Sequence, residues 1–243
     1  MRIFLVGITG AMGRTLLEIS DEIVSGYASE CGEINGIKVY DDFQKVEEEF
    51  DVILDFSNKN ITDKVLEFAK SVKKPLVMAT TGLDEETEKR ILELSKTQPI
   101  VYSKNFSVGM NVMSEVVKLL AKTLSDFDIE IIEKHHNQKV DAPSGTAKML
   151  FDSIKEERTN AKAVYDRTQV HEKRNANEVG ISVVRAGSIV GEHSTIFAGL
   201  DEVLEIKHQA GSKKIFAKGA IRACEYVINK DSGIYGMKDV IRG

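Results

Sequence analysis

Tryptophan is absent from this 243-residue chain, cysteine occurs only twice and proline only three times. Cys31 and Cys224 stand far apart and in no CxxC pair, which argues against a disulfide framework or a zinc ribbon; both are expected to be plain thiols. With so few prolines, no low-complexity tract and no internal repeat, nothing marks a flexible linker between domains. No apolar run approaches the ~20 residues that a bilayer span requires. The opening MRIFLVGITG has one basic residue and too short an apolar stretch for a signal-peptide core, so a cytoplasmic protein without a membrane partner is expected. Neither sign of charge dominates: 33 Lys and Arg against 38 Asp and Glu give a net charge of -5. Without a basic stripe to track a phosphate backbone, nucleic acid is not an expected partner.

What is present is enough for a buried core. Hydrophobic residues make up 42% and charged residues 29%, a balance that folds without disorder. The length suits two lobes on one chain.

Short apolar runs at residues 2–6, 23–28, 51–56, 75–79 and 99–102 alternate with helical patterns. Ile61, Val65, Phe68, Ala69 and Val72 fall at helical spacing, as do Ile91, Leu92 and Leu94 after an expected cap at Asp84. This alternation predicts an α/β fold, a Rossmann-type parallel sheet with helices on both faces. Beyond Phe106 the pattern changes. A helix through Val112, Val116, Leu119 and Leu120 leads to a strand, FDIEIIEKH, with Phe127, Ile129 and Ile131 on one face. A helix over 144–157 follows, then a polar stretch, then three β-branched runs broken at Gly187, Gly191 and Gly199, read as antiparallel strands. This predicts a second, α+β substrate and oligomerisation domain with a mixed or antiparallel sheet. A last helix over 214–229, with Ile215, Phe216, Ala220, Ala223 and Val227 on one side, is expected to return to the first lobe. The expected division is 1–106, completed by 214–243, and 107–213.

GITGAMGR joins the first strand to a helix expected over 12–20. Gly7 suits a tight turn, Gly10 a close approach of pyrophosphate, and Gly13 close helix-to-strand packing, with the helix start facing the phosphates. The spacing is GxxGxxG rather than GxGxxG. Glu30, about 20 residues on at the end of the second strand, is placed to accept from ribose hydroxyls. No Lys or Arg neighbours it in sequence, so NADH is expected to serve at least as well as NADPH. Further strand ends carry Asp55, Phe56 and Ser57; Ala79, Thr80, Thr81 and Gly82; and Ser103, Lys104, Asn105 and Phe106, residues that suit a nicotinamide and its ribose.

The densest chemistry is HHNQKVDAPSGTA. His135 can give a proton near neutral pH, Lys139 adds positive charge, and a helix capped by Ser144 offers the N–H groups of Gly145 and Thr146 and the Thr146 hydroxyl to a carboxylate. Adjacent histidines on an extended segment point apart, and no ligand with zinc spacing follows, so no metal is expected. His171, His193 and His208 read as structural or surface residues, and Arg167 and Arg174 as a solvated loop.

EKHHNQKVDAPSGTA resembles the signature of the dihydrodipicolinate reductase family. The resemblance extends to GITGAMGR, DFS at Asp55, ATTG at Ala79, NFSVGMN at Asn105, VGEH at Val190 and FAKGA at Phe216. The segment 26–42 is short for that family, and Cys31 stands where longer members often carry arginine. The resemblance implies reduction of 4-hydroxy-tetrahydrodipicolinate or dihydrodipicolinate, a cyclic dicarboxylate, on the diaminopimelate route to lysine. It implies a Rossmann lobe completed by the final helix and a homotetramer built through the strands of 180–209. Cofactor contacts, to NADH or NADPH, fall on Gly7, Ile8, Thr9, Gly10, Ala11, Met12, Glu30, Ala79, Thr80, Thr81, Ser103, Lys104, Asn105 and Phe106. Substrate contacts fall on His136, Gly145 and Thr146, and His135 and Lys139 match the proton donors. The alternatives are another two-domain dehydrogenase with a small anionic substrate, and a noncatalytic cofactor-binding regulator.

Overall fold

The computed structural model describes residues 1–165 and 167–243. In chain order its elements begin with β1 (Ile3–Val6), α1 (Ala11–Leu17), β2 (Ile23–Tyr27), β3 (Gly32–Ile34), β4 (Ile37–Tyr40) and β5 (Val52–Asp55). Next come α2 (Thr62–Val72), β6 (Leu76–Met78), α3 (Glu85–Ser95), β7 (Pro99–Tyr102), α4 (Val108–Thr123), β8 (Asp128–His135) and α5 (Gly145–Glu157). The chain ends with β9 (Lys162–Val164), β10 (Glu178–Arg185), β11 (Gly191–Gly199), β12 (Glu202–Ala210), α6 (Lys214–Val227), β13 (Gly233–Tyr235) and α7 (Met237–Arg242). It divides into two compact units, Met1–Val108 with Lys213–Gly243, and Gly109–Ser212.

Among the described residues of the first unit, eight strands run in the order β13-β7-β6-β5-β1-β2-β4-β3, all neighbours parallel except the β3–β4 hairpin. β1 is buried on both faces, as parallel strands between two helical layers must be. Ile3 and Leu5 join a core with Leu16 of α1 and Ala220, Ala223 and Val227 of α6. Phe4 and Val6 join another with Val65 and Phe68 of α2 and Ile91 and Leu94 of α3. The expected cap is present: the Asp84 side chain accepts from Thr87 N–H at 2.9 Å, with Glu85, Glu86 and Glu88 in the first turn of α3, where the helix dipole favours acids. α1 ends at Leu17, short of the expected residue 20. The hairpin β3–β4 and the C-terminal β13 and α7 had no counterpart in the sequence reading; these strands are three or four residues long, too short for alternation to register.

The second unit holds, among its described residues, a five-stranded sheet in the order β12-β11-β8-β10-β9. The antiparallel expectation holds for β11 with β8 and β12. It fails for β10, which runs parallel to β8 and β9, because β10 is reached by a crossover and not by a hairpin. Ile129, Ile131, Val179, Ile181 and Phe197 meet Leu150 and Ile154 of α5 and Met110, Met113 and Val117 of α4 in one core. The helix expected through Val112, Val116, Leu119 and Leu120 is present as α4, and its buried face is not the Val112, Val116 and Leu119 stripe. Met110, Asn111, Met113, Ser114, Val117 and Ala121 face inward, while Val112, Val116 and Leu119 are 43%, 37% and 61% exposed. Arg174 is likewise no solvated loop residue: it donates to the carbonyls of Glu178 and Ile129 and pairs with Asp128 and Glu130. Arg167 pairs with Glu178.

Candidate active site

In the first unit the glycine loop follows β1, the central strand at which the chain order reverses, the position where open α/β sheets bind ligands. Gly7 has φ +85°, and a β-carbon there would lie 2.6 Å from the Phe56 carbonyl oxygen; one on Gly13 would lie 2.3 Å from that of Ile8. The loop is tied to β2, since the N–H groups of Gly7 and Ile8 donate to the Tyr27 carbonyl at 2.9 and 3.3 Å. α1 then starts at Ala11, with Gly10 at the cap position and no side chain capping it. A bare backbone cradle and an uncapped helix start fit a dinucleotide pyrophosphate.

The neighbouring strand ends join this loop. Asp55, fully buried, accepts from Thr80 Oγ1 at 2.7 Å and from Ser57 N–H at 3.0 Å. Burial pushes the Asp55 carboxyl up, with the Ser57 and Thr80 hydrogen bonds opposing. Ala79 N–H donates to the Asp55 carbonyl at 2.9 Å. After β7, Ser103 Oγ donates to the Asn105 carbonyl at 2.9 Å and accepts from Asn105 N–H at 3.2 Å. The Phe56 and Phe106 rings lie 6.0 Å apart. Lys104 is held outward by Glu88 at 3.0 Å. Glu30 is exposed three residues beyond the end of β2. Lys38 of the unforeseen β3–β4 hairpin and Lys45 beyond it line the same cavity as Cys31, of about 460 Å³; Lys38 is engaged by Glu47 at 3.2 Å and Lys45 by Asp41 at 3.2 Å. A cavity of about 930 Å³ between residues 41–46 and α2 contains none of the predicted site residues.

In the second unit β8 ends at His135, and its core-facing alternation runs on from Ile129 and Ile131 to Glu133 and His135. His135 is buried and its Nδ1 lies 2.5 Å from Glu133 Oε2, while His136, just past the end of β8, is half-buried. Arg185 of β10 donates to both Glu133 oxygens at 2.9 Å, and to the carbonyls of Lys139 and Asp141 at 3.3 and 2.7 Å. Lys139 Nζ pairs with Asp141 at 2.7 Å. Ser144 caps α5, accepting from Ala147 N–H at 3.1 Å; its own N–H donates to Glu133 Oε1 at 2.9 Å, and its hydroxyl lies 3.0 Å from His193 Nε2. Gly145 is exposed with open space where a β-carbon would be, and Thr146 beside it is half-buried. Burial alone would raise the Glu133 carboxyl; hydrogen bonds from Arg185, His135 and Ser144 outweigh it and hold it below the usual carboxylate value. Burial, then the nearby His135, brings His193 down to about 4.

Residues 1–106 match the family described as dihydrodipicolinate reductase, N-terminus, and residues 109–241 match dihydrodipicolinate reductase, C-terminus. The chain belongs to the dihydrodipicolinate reductase family. A 4-hydroxy-tetrahydrodipicolinate reductase of Caldanaerobacter subterraneus subsp. tengcongensis is 42% identical, over 100% of this chain and 98% of its own. That of Clostridium tetani is 44% identical over 98% and 95%. A dipicolinate-bound dihydrodipicolinate reductase from Paenisporosarcina sp. TG-14 shares the fold with a TM-score of 0.82, at 21% identity over 97% of each chain. As a member of the dihydrodipicolinate reductase family the chain is an oxidoreductase, and its first unit is a nucleotide-binding Rossmann unit. Among its described residues no helix is long and apolar enough to cross a membrane.

Within this dihydrodipicolinate reductase fold, sequence reasoning missed Glu133, Arg185 and His193. VGEH contains His193, yet an isolated histidine on a strand carries no signal of its partner. Glu133, His135 and His193 offer three ligand-type atoms within 4.8 Å of one another, a grouping the spacing did not reveal. Both Glu133 oxygens are already held by Arg185, whose positive charge opposes a cation at that carboxylate.

Proposed function

We propose that this protein reduces 4-hydroxy-tetrahydrodipicolinate, or its dehydrated form dihydrodipicolinate, to tetrahydrodipicolinate, the reduction step of the diaminopimelate route to lysine. The observation that carries this reading is the single loop running from His135 and Lys139 to the open start of α5, which sets proton donors beside a carboxylate cradle. Gly7, Ile8, Thr9, Gly10, Ala11 and Met12 hold the pyrophosphate of a nicotinamide cofactor. Glu30 takes its ribose, and Ala79, Thr80, Thr81, Ser103, Lys104, Asn105 and Phe106 surround its reactive end. When bound, the reduced nicotinamide supplies a hydride. His136, the Gly145 and Thr146 N–H groups and the Thr146 hydroxyl bind substrate carboxylates, using the partial positive charge of the helix start. The hydroxylated ring would first lose its hydroxyl and a neighbouring proton as water; hydride addition to the resulting conjugated ring would then form one new C–H bond, and the electron pair of the reduced double bond would take one proton from the His135 and Lys139 donors. Because Glu30 repels a 2′-phosphate and Lys45 is engaged by Asp41, NADH serves at least as well as NADPH. The active form is a homotetramer joined through the second unit's sheet, a reading supported by exposed Val184, Leu200 and Val203 and by β12 at the sheet edge.

The test is loss of reduced-nicotinamide absorbance with freshly generated substrate, NADH and NADPH in parallel, in wild type and His135→Gln. We expect substrate-dependent oxidation, NADH at least equal to NADPH, and a roughly 10²–10⁴-fold lower kcat in the variant with cofactor binding intact. No oxidation by folded, cofactor-binding protein would overturn the activity; near wild-type turnover in the variant would remove His135 from the chemistry.

A further inference from the structure

One carboxylate, Glu133, is bonded at once to His135, to the residue that caps α5 and to Arg185. Its Oε2 meets His135 Nδ1 at 2.5 Å and its Oε1 accepts the Ser144 N–H at 2.9 Å, the residue that caps α5. Arg185 grips both oxygens and, through the Lys139 and Asp141 carbonyls, the loop between. Glu133 has 0% exposure, so its charge is kept in place by these partners and not by water. The other side of the imidazole faces Gly191, where a β-carbon would stand only 3.2 Å from Nε2. Ser144 in turn is held by His193, whose depressed pKa keeps that imidazole neutral and able to accept from the serine hydroxyl.

We propose that Glu133 is a positioning residue for the reduction: by accepting the Nδ1–H of His135 it directs Nε2 toward the substrate, so that the neutral ring takes up its second proton at Nε2 and gives that proton to the substrate, and it anchors the start of α5, so one side chain sets the proton donor and the carboxylate cradle together. Buried carboxylates that orient a functional histidine through its second nitrogen act in this way elsewhere. Loss of the charge leaves His135 free to exchange tautomers and Arg185 unpaired. The proposal rests on the reading of His135 as proton donor.

The experiment pairs steady-state kinetics of Glu133→Gln and Glu133→Asp with ¹⁵N NMR of ring-labelled histidines in the wild-type protein, His135 being assigned by its loss in His135→Gln. We expect a single Nδ1–H tautomer for neutral His135. In Glu133→Gln we expect a tautomer mixture, kcat roughly 10–100-fold lower, KM raised several-fold, and an unchanged Kd for reduced cofactor. Glu133→Asp, which keeps the charge, should recover part of kcat. An Nε2–H tautomer in the wild type overturns the proposal even if neither variant folds. Wild-type kinetics in Glu133→Gln with loss of activity in His135→Gln overturns it alone, whereas full activity in both variants overturns the reading of His135 as well.

Discussion

At the scale of the residue, the buried ionisable groups of the second unit give the stability a defined pH dependence. His193 is brought to about 4 by burial and by His135, against ~6.5 for an unfolded histidine. A group depressed in the folded state contributes its full stability above the unfolded value and loses it as pH falls toward the folded one. Wild type should therefore lose stability relative to His193→Gln between pH about 6.5 and about 4, by up to ~3 kcal/mol. Urea unfolding of both proteins across that range measures it; parallel profiles would contradict the buried, neutral His193. The same residues mark how far the sequence could be read. His135, Lys139, Gly145 and Thr146 stood out because one short loop carries them. Glu133, Arg185 and His193 are up to 60 residues apart and meet only through strand register, Arg185 beside His135 and His193 beside Glu133. One-dimensional spacing holds no trace of such pairings, particularly when one of the strands runs parallel after a long crossover.

At the scale of the element, the β1–α1 connection was legible because glycine is demanded by backbone contacts that recur wherever a strand turns tightly into a helix. Gly13 is the sharper case, with Ile8 carbonyl oxygen 2.3 Å from its would-be β-carbon and no flexible side chain to give way. Gly13→Ala should cost about 1–3 kcal/mol of stability and weaken reduced-cofactor binding, measured by thermal unfolding and fluorescence titration; wild-type values of both would refute the close-packed loop. α4 shows the opposite outcome. Its apolar residues surround the helix, so Val112, Val116 and Leu119 fit a helical stripe as well as Met110, Met113 and Val117 do, and periodicity could not choose the buried face. The hairpin β3–β4 was hidden by its brevity, and with it the placing of Lys38 beside Cys31 in one cavity.

At the scale of the whole molecule, β12 is a nine-residue strand at one edge of its sheet, and long edges invite pairing unless covered. Leu200 and Val203, 91% and 69% exposed, extend that edge with apolar surface. Light scattering should give four chain masses for the wild type and a smaller species for a Leu200→Asp, Val203→Asp double variant; a monomeric wild type would remove the assembly from the account. The central claim is hydride transfer from nicotinamide to a cyclic dicarboxylate, and isotope transfer tests it most directly. Cofactor carrying two deuterons at C4 of the nicotinamide should yield tetrahydrodipicolinate one mass unit heavier than that from unlabelled cofactor, with one deuteron kept in the oxidised cofactor. Product formed without the label, or labelled cofactor oxidised with no labelled ring, would contradict it.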